Sequence, residues 1–430
     1  MAFLRDLDPQ RPTAVRLLDE PLVLWFDRTN QSWRAFVDRC PHRLVPLSEG
    51  RINRRGELEC PYHGWSFSGD GRCSHIPQVD ADQPGGDTPL NSPRSRCISR
   101  AVASGQGLLF VFSGAADVAA NHPLPLVPLL DEPGWLVQDT FRDLPYDALT
   151  LLENVLDVSH VPFTHHATVG NRDSAGAVNL EVTASGAQGF TGIWQEGPRR
   201  GKLGTQHTSF SAPQLMWHDL TAKGFARILT VVYATPISPG RCRLFARFPF
   251  QFEKPITARL LQLRPRWLQH LGNHRVLEDD QLFLHQQERS LAAAGGSAEL
   301  SRSCFLASRS DRYVQELHKW VLQHGGTPFP GAELPPSQPT QQLMERYNSH
   351  TLHCRSCFTA LRRLERIQRW APALIVLLLV LLGLSSALLP SGVSLLLSIA
   401  VVIVLLSALQ SRRWLEALRQ GSPHPPRNQA

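Results

Sequence analysis

The sequence predicts an α+β protein made of a small N-terminal β domain, a second domain that combines an antiparallel sheet with helices, and a C-terminal helical hairpin. The first part contains short β-rich segments separated by Gly, Asn, Asp or Pro. The second part returns to strand patterns over residues 178–250, between two helical stretches. The third part is an uncharged apolar run over residues 371–409. A chain of 430 residues with 42% hydrophobic content is long enough for two or three such units.

The N-terminal β domain is predicted over residues 1–115. Its strand patterns are "PLVLWFD", "SWRAFVD" and "GLLFVFS". Residues 116–145 are rich in proline and irregular, which indicates a linker.

The second domain is predicted over residues 146–325. The segment "YDALTLLENVLDVSHVPFTHH" (146–166) indicates a helix, whereas "FARILTVVYATPIS" and "RCRLFARFPF" indicate strands of an antiparallel sheet. Helical patterns begin again near residue 255. Residues 326–369 form a second predicted linker, which leads to the apolar tail.

The apolar tail, "APALIVLLLVLLGLSSALLPSGVSLLLSIAVVIVLLSAL", carries the turn signal "LPSG" at its middle. It predicts two transmembrane helices within residues 370–410, each near the lower length limit for a hydrocarbon core of ~30 Å, and a tail over 411–430. Arginines lie outside both ends and not in the turn, so the positive-inside rule places both ends and the two domains on the cytoplasmic, or stromal-equivalent, side of a membrane. The alternative is a buried hairpin of a soluble core, but globular helices seldom run this long without one charge.

Charge and cysteine content exclude two classes of protein. The formal net charge is +7, but the basic residues are not interleaved with aromatic residues, which argues against nucleic-acid binding. Eight cysteines are few for this length, so metal or redox use explains them better than a disulfide framework. The N-terminal segment lacks the apolar run of a secretory signal, so we expect it to stay in the compartment of synthesis.

A Cys-x-His pair precedes a Cys-x-x-His pair, with seventeen residues between Cys40-x-His42 and Cys60-x-x-His63. Ligand type alone does not choose the metal, because a tetrahedral zinc site uses the same residues. Each pair lies beside a proline and Gly64 follows the second, which favours two tight loops that clamp a cluster. Two sulfide-bridged irons, one on both cysteines and one on both histidines, form a Rieske [2Fe–2S] centre. The motif resembles the Rieske domain of aromatic-ring and related oxygenases.

A second group of ligands lies in "ENVLDVSHVPFTHH" (153–166). Two histidines and one carboxylate leave three open positions on an octahedral Fe(II), where O₂ and substrate can meet. The spacing Asn-x-x-Asp-x-x-His-x4-His resembles the mononuclear iron motif of Rieske oxygenases, which implies His160 and His165 as ligands in a helix-grip-like catalytic domain. The likeness selects Asp279 in "LEDDQLFLHQQE" as the third ligand, with Asp280 as the alternative one step away. Without the upstream motifs, this acidic pair would indicate a solvated helix start.

The family resemblance also gives Asp157 a role. In such oxygenases an aspartate at this position bridges a cluster histidine of one subunit to an iron-ligating histidine of the next. Carried over to this chain, the likeness implies that Asp157 contacts His160 and, across an interface, His63 of a neighbouring chain. A homotrimer is therefore expected.

A C-x-x-C pair, Cys354 and Cys357, precedes the apolar tail. Together with the two iron motifs and the membrane anchor, it resembles the pheophorbide a oxygenase group, whose members act on chlorophyll-derived tetrapyrroles. Chlorophyllide a oxygenase is the alternative within this class, and a sterol or carotenoid substrate fits the anchor equally well. The pair is either a thiol switch for a thioredoxin-like partner or two packed, reduced cysteines. The short N-terminus departs from plant members and suits a bacterial, possibly cyanobacterial, source.

These observations predict a membrane-anchored monooxygenase that uses O₂ to oxidise a lipophilic substrate. No G-x-G-x-x-G loop is present in the sequence, so a ferredoxin or a separate ferredoxin-type reductase is expected to supply the electrons. The alternative from another class is a membrane-tethered Rieske electron carrier or redox sensor whose second site is degenerate. The oxygenase predicts three irons per chain, and the carrier predicts two.

Overall fold

A computed structural model describes residues 1–80, 88–197, 203–222, 225–388 and 391–428. The N-terminal part contains eleven short strands in these residues, arranged in three antiparallel sheets of order β1-β11-β10, β2-β3-β4-β9 and β5-β6-β7-β8. The bounds are β1 Ala2–Phe3, β2 Thr13–Leu17, β3 Glu20–Asp27, β4 Ser32–Val37, β5 Arg51–Ile52, β6 Leu58–Glu59, β7 Ser66–Phe67, β8 Cys73–His75, α1 Thr88–Asn91, β9 Ser99–Arg100, β10 Val102–Gly105 and β11 Leu108–Val111.

The second part is built on a seven-stranded antiparallel sheet of order β12-β18-β17-β16-β15-β14-β13. Its bounds are β12 Leu136–Leu144, β13 Glu181–Gly186, β14 Gly189–Trp194, β15 Leu203–Ser211, β16 Leu215–Ala222, β17 Phe225–Ser238 and β18 Arg241–Phe252. The helices are α2 Ala148–Leu156, α3 Val161–Thr164, α4 Pro255–Gln262, α5 Arg266–Ala293, α6 Leu300–Ser303, α7 Arg312–His324 and α8 Thr340–Leu343. The α+β class predicted from the sequence is confirmed.

Two predicted boundaries differ in the structure. The stretch 116–145 was expected to be a linker, but its last residues form β12, which pairs with β18 at the edge of the large sheet. The single helix expected over 146–166 is divided into α2 and α3. Asp157 caps the C-terminus of α2 in an extended conformation, and Pro162 lies in the first turn of α3, where its missing N–H is tolerated.

The C-terminal segment forms two long helices, α9 Arg355–Leu388 and α10 Ser391–Arg419. Both are long and apolar enough to cross a membrane by length and composition, and only 6% of each apolar window is buried within the protein. The predicted hairpin is therefore present, although Leu389 and Pro390 of its turn signal lie outside the described residues.

The first of these two apolar helices begins earlier than the sequence predicted. Residues 355–369 were expected to be linker, but they form the first turns of α9 and pack on the sheet. The buried side chains in this contact include Cys357, Leu361 and Leu364, joined by Leu418 from the end of α10. The same core contains Phe3, Leu108 and Phe110 from the N-terminal part. Phe141 and Phe245 of the large sheet pack in it as well. Both domains and the base of the hairpin are thus held by one apolar cluster.

Candidate metal centres and active site

The two Cys/His motifs form a pair of matching loops beside the β5–β8 sheet. In the first loop, the Cys40 N–H donates to the Val45 carbonyl at 2.8 Å, and the Leu44 N–H donates to the Cys40 carbonyl at 2.9 Å. In the second, Cys60 and Gly64 make the same two bonds, at 2.8 Å and 3.2 Å. Leu44 and Gly64 occupy the same place in each loop, and both have positive φ, +61° and +74°. The loop geometry predicted for Gly64 is therefore reached in the first loop by a leucine, at some conformational cost.

The donor atoms in these loops fit an iron–sulfur cluster. Cys40 and Cys60 are buried, and the rings of His42 and His63 lie 4.7 Å apart. His42 stacks on Trp65 at 4.5 Å, and its Nδ1 is buried without a hydrogen-bond partner among the described residues. A buried nitrogen without a partner is costly unless something else binds it. A hydrogen bond between the two thiols lowers the pKa of Cys60, with help from the backbone N–H groups of Tyr62 and His63, and raises the pKa of Cys40. The two sulfurs are therefore close enough to share one proton, or to bind one iron in its place.

A second group of donors lies where α2, α3 and α5 meet. The donor atoms of His160, His165 and Asp280 all lie within 4.8 Å of one another. Nε2 of His165 is 3.4 Å from Asp280 Oδ2, and Nε2 of His160 is 3.9 Å from Asp280 Oδ1. Both imidazoles thus present the same nitrogen to one carboxylate. Two histidines and one carboxylate are the donor set of a non-haem Fe(II) site.

Asp279, predicted from the sequence as the third ligand, does not face the Nε2 atoms of the two histidines. Its Oδ2 is 3.3 Å from Nδ1 of His165 and accepts the Thr168 hydroxyl at 2.5 Å. The structure therefore brings the alternative, Asp280, to the two Nε2 atoms. The reason is helical rotation, because successive residues point about 100° apart on a 3.6-residue turn. Both carboxylates are buried in the middle of α5. The alternative interpretation of this acidic pair as a solvated helix start is therefore wrong.

Hydrogen bonds fix the orientation of both rings. Nδ1 of His160 donates to the Asp157 carbonyl oxygen, and Nδ1 of His165 faces Asp279. Each Nε2 is left as the nitrogen that faces Asp280. Such bonds to the second ring nitrogen are the usual support of a metal-binding histidine.

The carboxylate of Asp157 is partly exposed. It accepts the backbone N–H and the hydroxyl of Ser159, at 2.8 Å and 2.6 Å, and its Oδ2 lies 3.8 Å from Nδ1 of His160. The predicted contact with His160 is made within the chain by the Asp157 backbone. His166 points away from this group, since its Nδ1 accepts the Arg172 N–H at 3.2 Å.

An apolar cavity of about 490 Å³ opens onto His160, His165 and Asp280. This volume lies in the range of small-molecule sites. Asn154 also lines it, and the Asn154 amide donates to Asp280 at 3.4 Å. Burial raises the pKa of Asp280, and the two imidazoles oppose that shift. The apolar walls come from α2, α5 and the large sheet, and include Leu151, Val155, Trp194, Val232, Phe248 and Leu277.

One further histidine, which the sequence analysis did not select, lines this cavity. Nε2 of His218 donates to the Val155 carbonyl at 2.9 Å, and its Nδ1 accepts the Thr208 hydroxyl at 2.8 Å. Burial lowers the pKa of His218 to about 4. With both nitrogens occupied, it is a neutral polar group that ties α2 to the sheet.

Two arginines bind the residue next to the acidic pair. Glu278 accepts Arg142 at 2.5 Å and Arg346 at 2.6 Å and 2.5 Å, and all three side chains are buried. Burial alone would raise the pKa of Glu278, but the two guanidinium groups outweigh it and lower that pKa. This triad fixes α5 to β12 and to the segment that precedes α9.

The C-x-x-C pair lies in a third group of donors. Cys354 and Cys357 are buried and face the imidazoles of His270 and His350. These two histidines were not predicted as ligands from the sequence. The spacing His350-x3-Cys354-x2-Cys357 could have indicated a metal site, because these three donors are close in the sequence. His270 could not have been found in this way, since it lies 80 residues before His350.

Two family models match this chain, one in the N-terminal part and one in the second part. The family model described as "Rieske [2Fe-2S] domain" matches residues 1–94, and the model described as "Pheophorbide a oxygenase" matches residues 210–298. Pheophorbide a oxygenase of Arabidopsis thaliana is 35% identical over 383 residues, covering 82% of this chain and 70% of that protein. Flavonoid 8-hydroxylase 2 of Ocimum basilicum is 28% identical over 389 residues, covering 82% and 71%.

Solved structures agree on the fold. Dicamba monooxygenase superposes with a TM-score of 0.56 at 21% identity, covering 74% of this chain and 94% of that one. About three quarters of this chain therefore shares the fold of that enzyme.

Proposed function

Because this chain belongs to the family of Rieske non-haem iron oxygenases that includes pheophorbide a oxygenase, we propose that it is a membrane-anchored monooxygenase for a chlorophyll-derived tetrapyrrole. One observation carries the proposal: His160, His165 and Asp280 converge at an apolar cavity.

The chain supplies donors for two cofactors. Cys40, Cys60, His42 and His63 would hold the [2Fe–2S] cluster, and His160, His165 and Asp280 would hold the mononuclear iron. When bound, the cluster supplies single electrons and the mononuclear iron activates O₂. Asp279 holds the proton on Nδ1 of His165, and the Asp157 carbonyl oxygen holds the proton on Nδ1 of His160.

The cavity walls bind and orient the substrate. Apolar side chains favour a flat, lipophilic molecule and exclude water from the donor group. Asn154 and neutral His218 are two of the polar groups that line the cavity beside the donors, together with Glu196, Gln206 and Thr230. The name of the 35% identical relative supports a tetrapyrrole in this role.

We further propose that the active form is a homotrimer. The rim of the cluster exposes Leu44 and Tyr62, and the rim of the second site exposes Phe163. Exposed apolar side chains at both rims suit an interface between neighbouring chains. In that arrangement the partly exposed Asp157 carboxylate faces His63 of the next chain, and a ferredoxin or ferredoxin-type reductase supplies the electrons.

The hairpin anchors the protein to a membrane. Arginines at the base of both helices, Arg363, Arg366, Arg412 and Arg413, favour the cytoplasmic or stromal-equivalent side for the domains. Anchoring would keep the cavity near a membrane in which a lipophilic substrate dissolves.

A second candidate substrate is a flavonoid, because a flavonoid 8-hydroxylase covers as much of this chain as the tetrapyrrole enzyme does. Both substrates are planar and aromatic. The same cavity would accept a chlorophyllide. Activity on a sterol or a carotenoid would test whether the cavity prefers planar aromatic substrates.

Mass spectrometry with ¹⁸O₂ tests these candidates. The purified protein, with a ferredoxin and its reductase, is incubated with pheophorbide a, chlorophyllide a, a flavonoid and a sterol. We expect one ¹⁸O atom in the pheophorbide a product. Labelling of only the flavonoid or only the sterol would overturn the proposed substrate.

Iron analysis separates the oxygenase from the electron carrier. The intact oxygenase should hold about three irons per chain. His160→Ala should hold about two, keep the spectrum of the cluster and form no product, whereas the matched control His166→Ala should behave as the intact protein. Two irons in the intact protein would favour the carrier.

A further inference from the structure

We propose that His270, His350, Cys354 and Cys357 bind one zinc ion as a closed structural site. These residues lie outside the cavity and take no part in the proposed oxygenase chemistry. They come from α5, from the segment before α9, and from the start of α9 itself. The proposal does not depend on the substrate or on the activity.

The four donor atoms lie within 4.8 Å of one another, and four of their six separations fit tetrahedral coordination. Nδ1 of His270 lies 3.1 Å from Nε2 of His350 and 3.3 Å from Sγ of Cys357. Sγ of Cys357 is 3.3 Å from Nε2 of His350, and Sγ of Cys354 is 3.5 Å from Nδ1 of His270. Zinc bonds of about 2.0–2.1 Å to nitrogen and about 2.3 Å to sulfur put tetrahedral nitrogens about 3.3 Å apart and nitrogen and sulfur about 3.5 Å apart. Each observed separation agrees to within about 0.3 Å.

The ring of His350 is oriented for this role. Its Nδ1 donates to the Phe141 carbonyl oxygen of β12 at 2.6 Å. The proton therefore lies on Nδ1, and the lone pair of Nε2 points at the two thiols and at His270. A zinc-binding histidine commonly has such a bond to its other nitrogen.

Burial also favours a metal. The exposed fraction is 1% for His270, His350 and Cys354, and 0% for Cys357. Two thiols and two imidazoles packed together out of water lose hydration that weak S–H hydrogen bonds replace poorly. A zinc ion replaces two thiol protons and binds all four groups, so loading releases two protons.

The position suggests what the site does. Four protein ligands leave no open coordination position, in contrast with the three-ligand group at the cavity. The site would fix the first turn of the first membrane helix to α5. Asp280 lies ten residues further along α5, about 15 Å at 1.5 Å per residue. The zinc would thus hold the membrane anchor in a fixed relation to the helix that carries Asp280.

The same arrangement argues against a thiol switch in this conformation. A thioredoxin-like partner needs its thiolate to reach one of the sulfurs, and both are inaccessible. Zinc binding also removes the free thiolate from exchange.

The test is metal analysis of the full-length protein in detergent, expressed with zinc in the medium. We expect about one zinc per chain in addition to iron, and zinc-edge X-ray absorption with two sulfur neighbours at about 2.3 Å and two nitrogen neighbours at about 2.0–2.1 Å. This measurement needs no substitution and no activity. Absence of zinc, or zinc without sulfur neighbours, would overturn the proposal.

Variants assign the ligands. Cys354→Ser combined with Cys357→Ser should lose the zinc and keep the cluster spectrum. Cys304→Ser is the matched control, because that cysteine lies outside the three donor groups and is only partly buried. A disulfide between Cys354 and Cys357 in the freshly purified protein, found by mass spectrometry under non-reducing conditions, would also contradict the proposal. Failure here leaves the oxygenase proposal intact, because iron content and ¹⁸O incorporation are measured separately.

Discussion

Asp279 and Asp280 lie at opposite nitrogens of one imidazole ring. Asp279 Oδ2 is 3.3 Å from Nδ1 of His165, and Asp280 Oδ2 is 3.4 Å from its Nε2. Two adjacent carboxylates of α5 therefore have different environments. One can hold the proton that orients the ring, and the other can bind the metal that the ring binds.

The first prediction separates these two roles. Asp280→Asn should reduce the iron content from about three to about two per chain and abolish the product, because an amide is a poor replacement for the ligating carboxylate. Asp279→Asn should keep iron at saturating supply, with an affinity weaker by about 10–100-fold, because it weakens only the support of His165. Iron titration of both variants gives the measurement. Retention of iron in Asp280→Asn together with its loss in Asp279→Asn would reverse the assignment.

The iron motifs could be predicted from the sequence because the ligands of each motif lie close together along the chain. Cys40, His42, Cys60 and His63 lie in two loops whose local hydrogen bonds bring the ligands together. The choice between Asp279 and Asp280 could not be made in this way. It depends on how α5 is rotated against the loop that holds His165, and that rotation is set by tertiary packing.

Long-range pairs were missed for the same reason. His270 meets His350 and the C-x-x-C pair only because α5 packs beside α9. The extent of α9 was also missed, since residues 355–369 lack the uninterrupted apolar run that identifies a span. Their buried face becomes evident only when the sheet beneath it is known.

The second prediction concerns the buried triad around Glu278. Glu278→Gln should destabilise the protein by about 3–5 kcal/mol, because it leaves Arg142 and Arg346 buried without their countercharge. The matched control is Glu299→Gln, whose carboxylate forms an exposed pair with Arg302 at 3.0 Å and should change stability by less than about 0.5 kcal/mol. Thermal unfolding midpoints compare the two. Equal midpoints would show that the triad contributes no specific stability.

The third prediction is a pH dependence that comes from His218. Its pKa is lowered by burial to about 4 in the folded protein, from an ordinary value of about 6.5. The unfolded chain therefore binds the proton more readily, and the contribution of His218 to stability falls as the pH falls from 6.5 towards 4. Between pH 7.5 and pH 5 the loss should be about 2 kcal/mol.

Comparison with the His218→Gln variant separates the contribution of His218 to the pH-dependent stability from the contributions of other titrating groups. The variant should be less stable than the unmodified protein at pH 7.5, because it loses the bonds to Thr208 and Val155. The difference between the two should shrink at pH 5, since only the histidine titrates. Thermal midpoints at both pH values provide the data, and a difference that stays constant with pH would contradict the prediction.

The fourth prediction separates the part of the hairpin that is proposed to span a membrane from its base. Residues 375–405 include most of the exposed apolar side chains of both helices, whereas Gln368 at the base donates to the Ala408 carbonyl oxygen at 2.6 Å. We expect that replacing 375–405 by a Gly/Ser linker of about eight residues, long enough to join helices about 8–10 Å apart, releases the protein from membranes with its iron content unchanged.

Truncation after residue 369 should behave differently, because it removes the end of α10. That end supplies the Ala417 carbonyl oxygen, which accepts Arg346 at 2.6 Å, and the buried Leu418. The truncated chain should lose stability and aggregate, whereas the linker variant stays soluble after carbonate extraction. If both variants aggregate alike, the apolar faces over 375–405 are covered by protein and not by lipid, and the hairpin belongs to a soluble core.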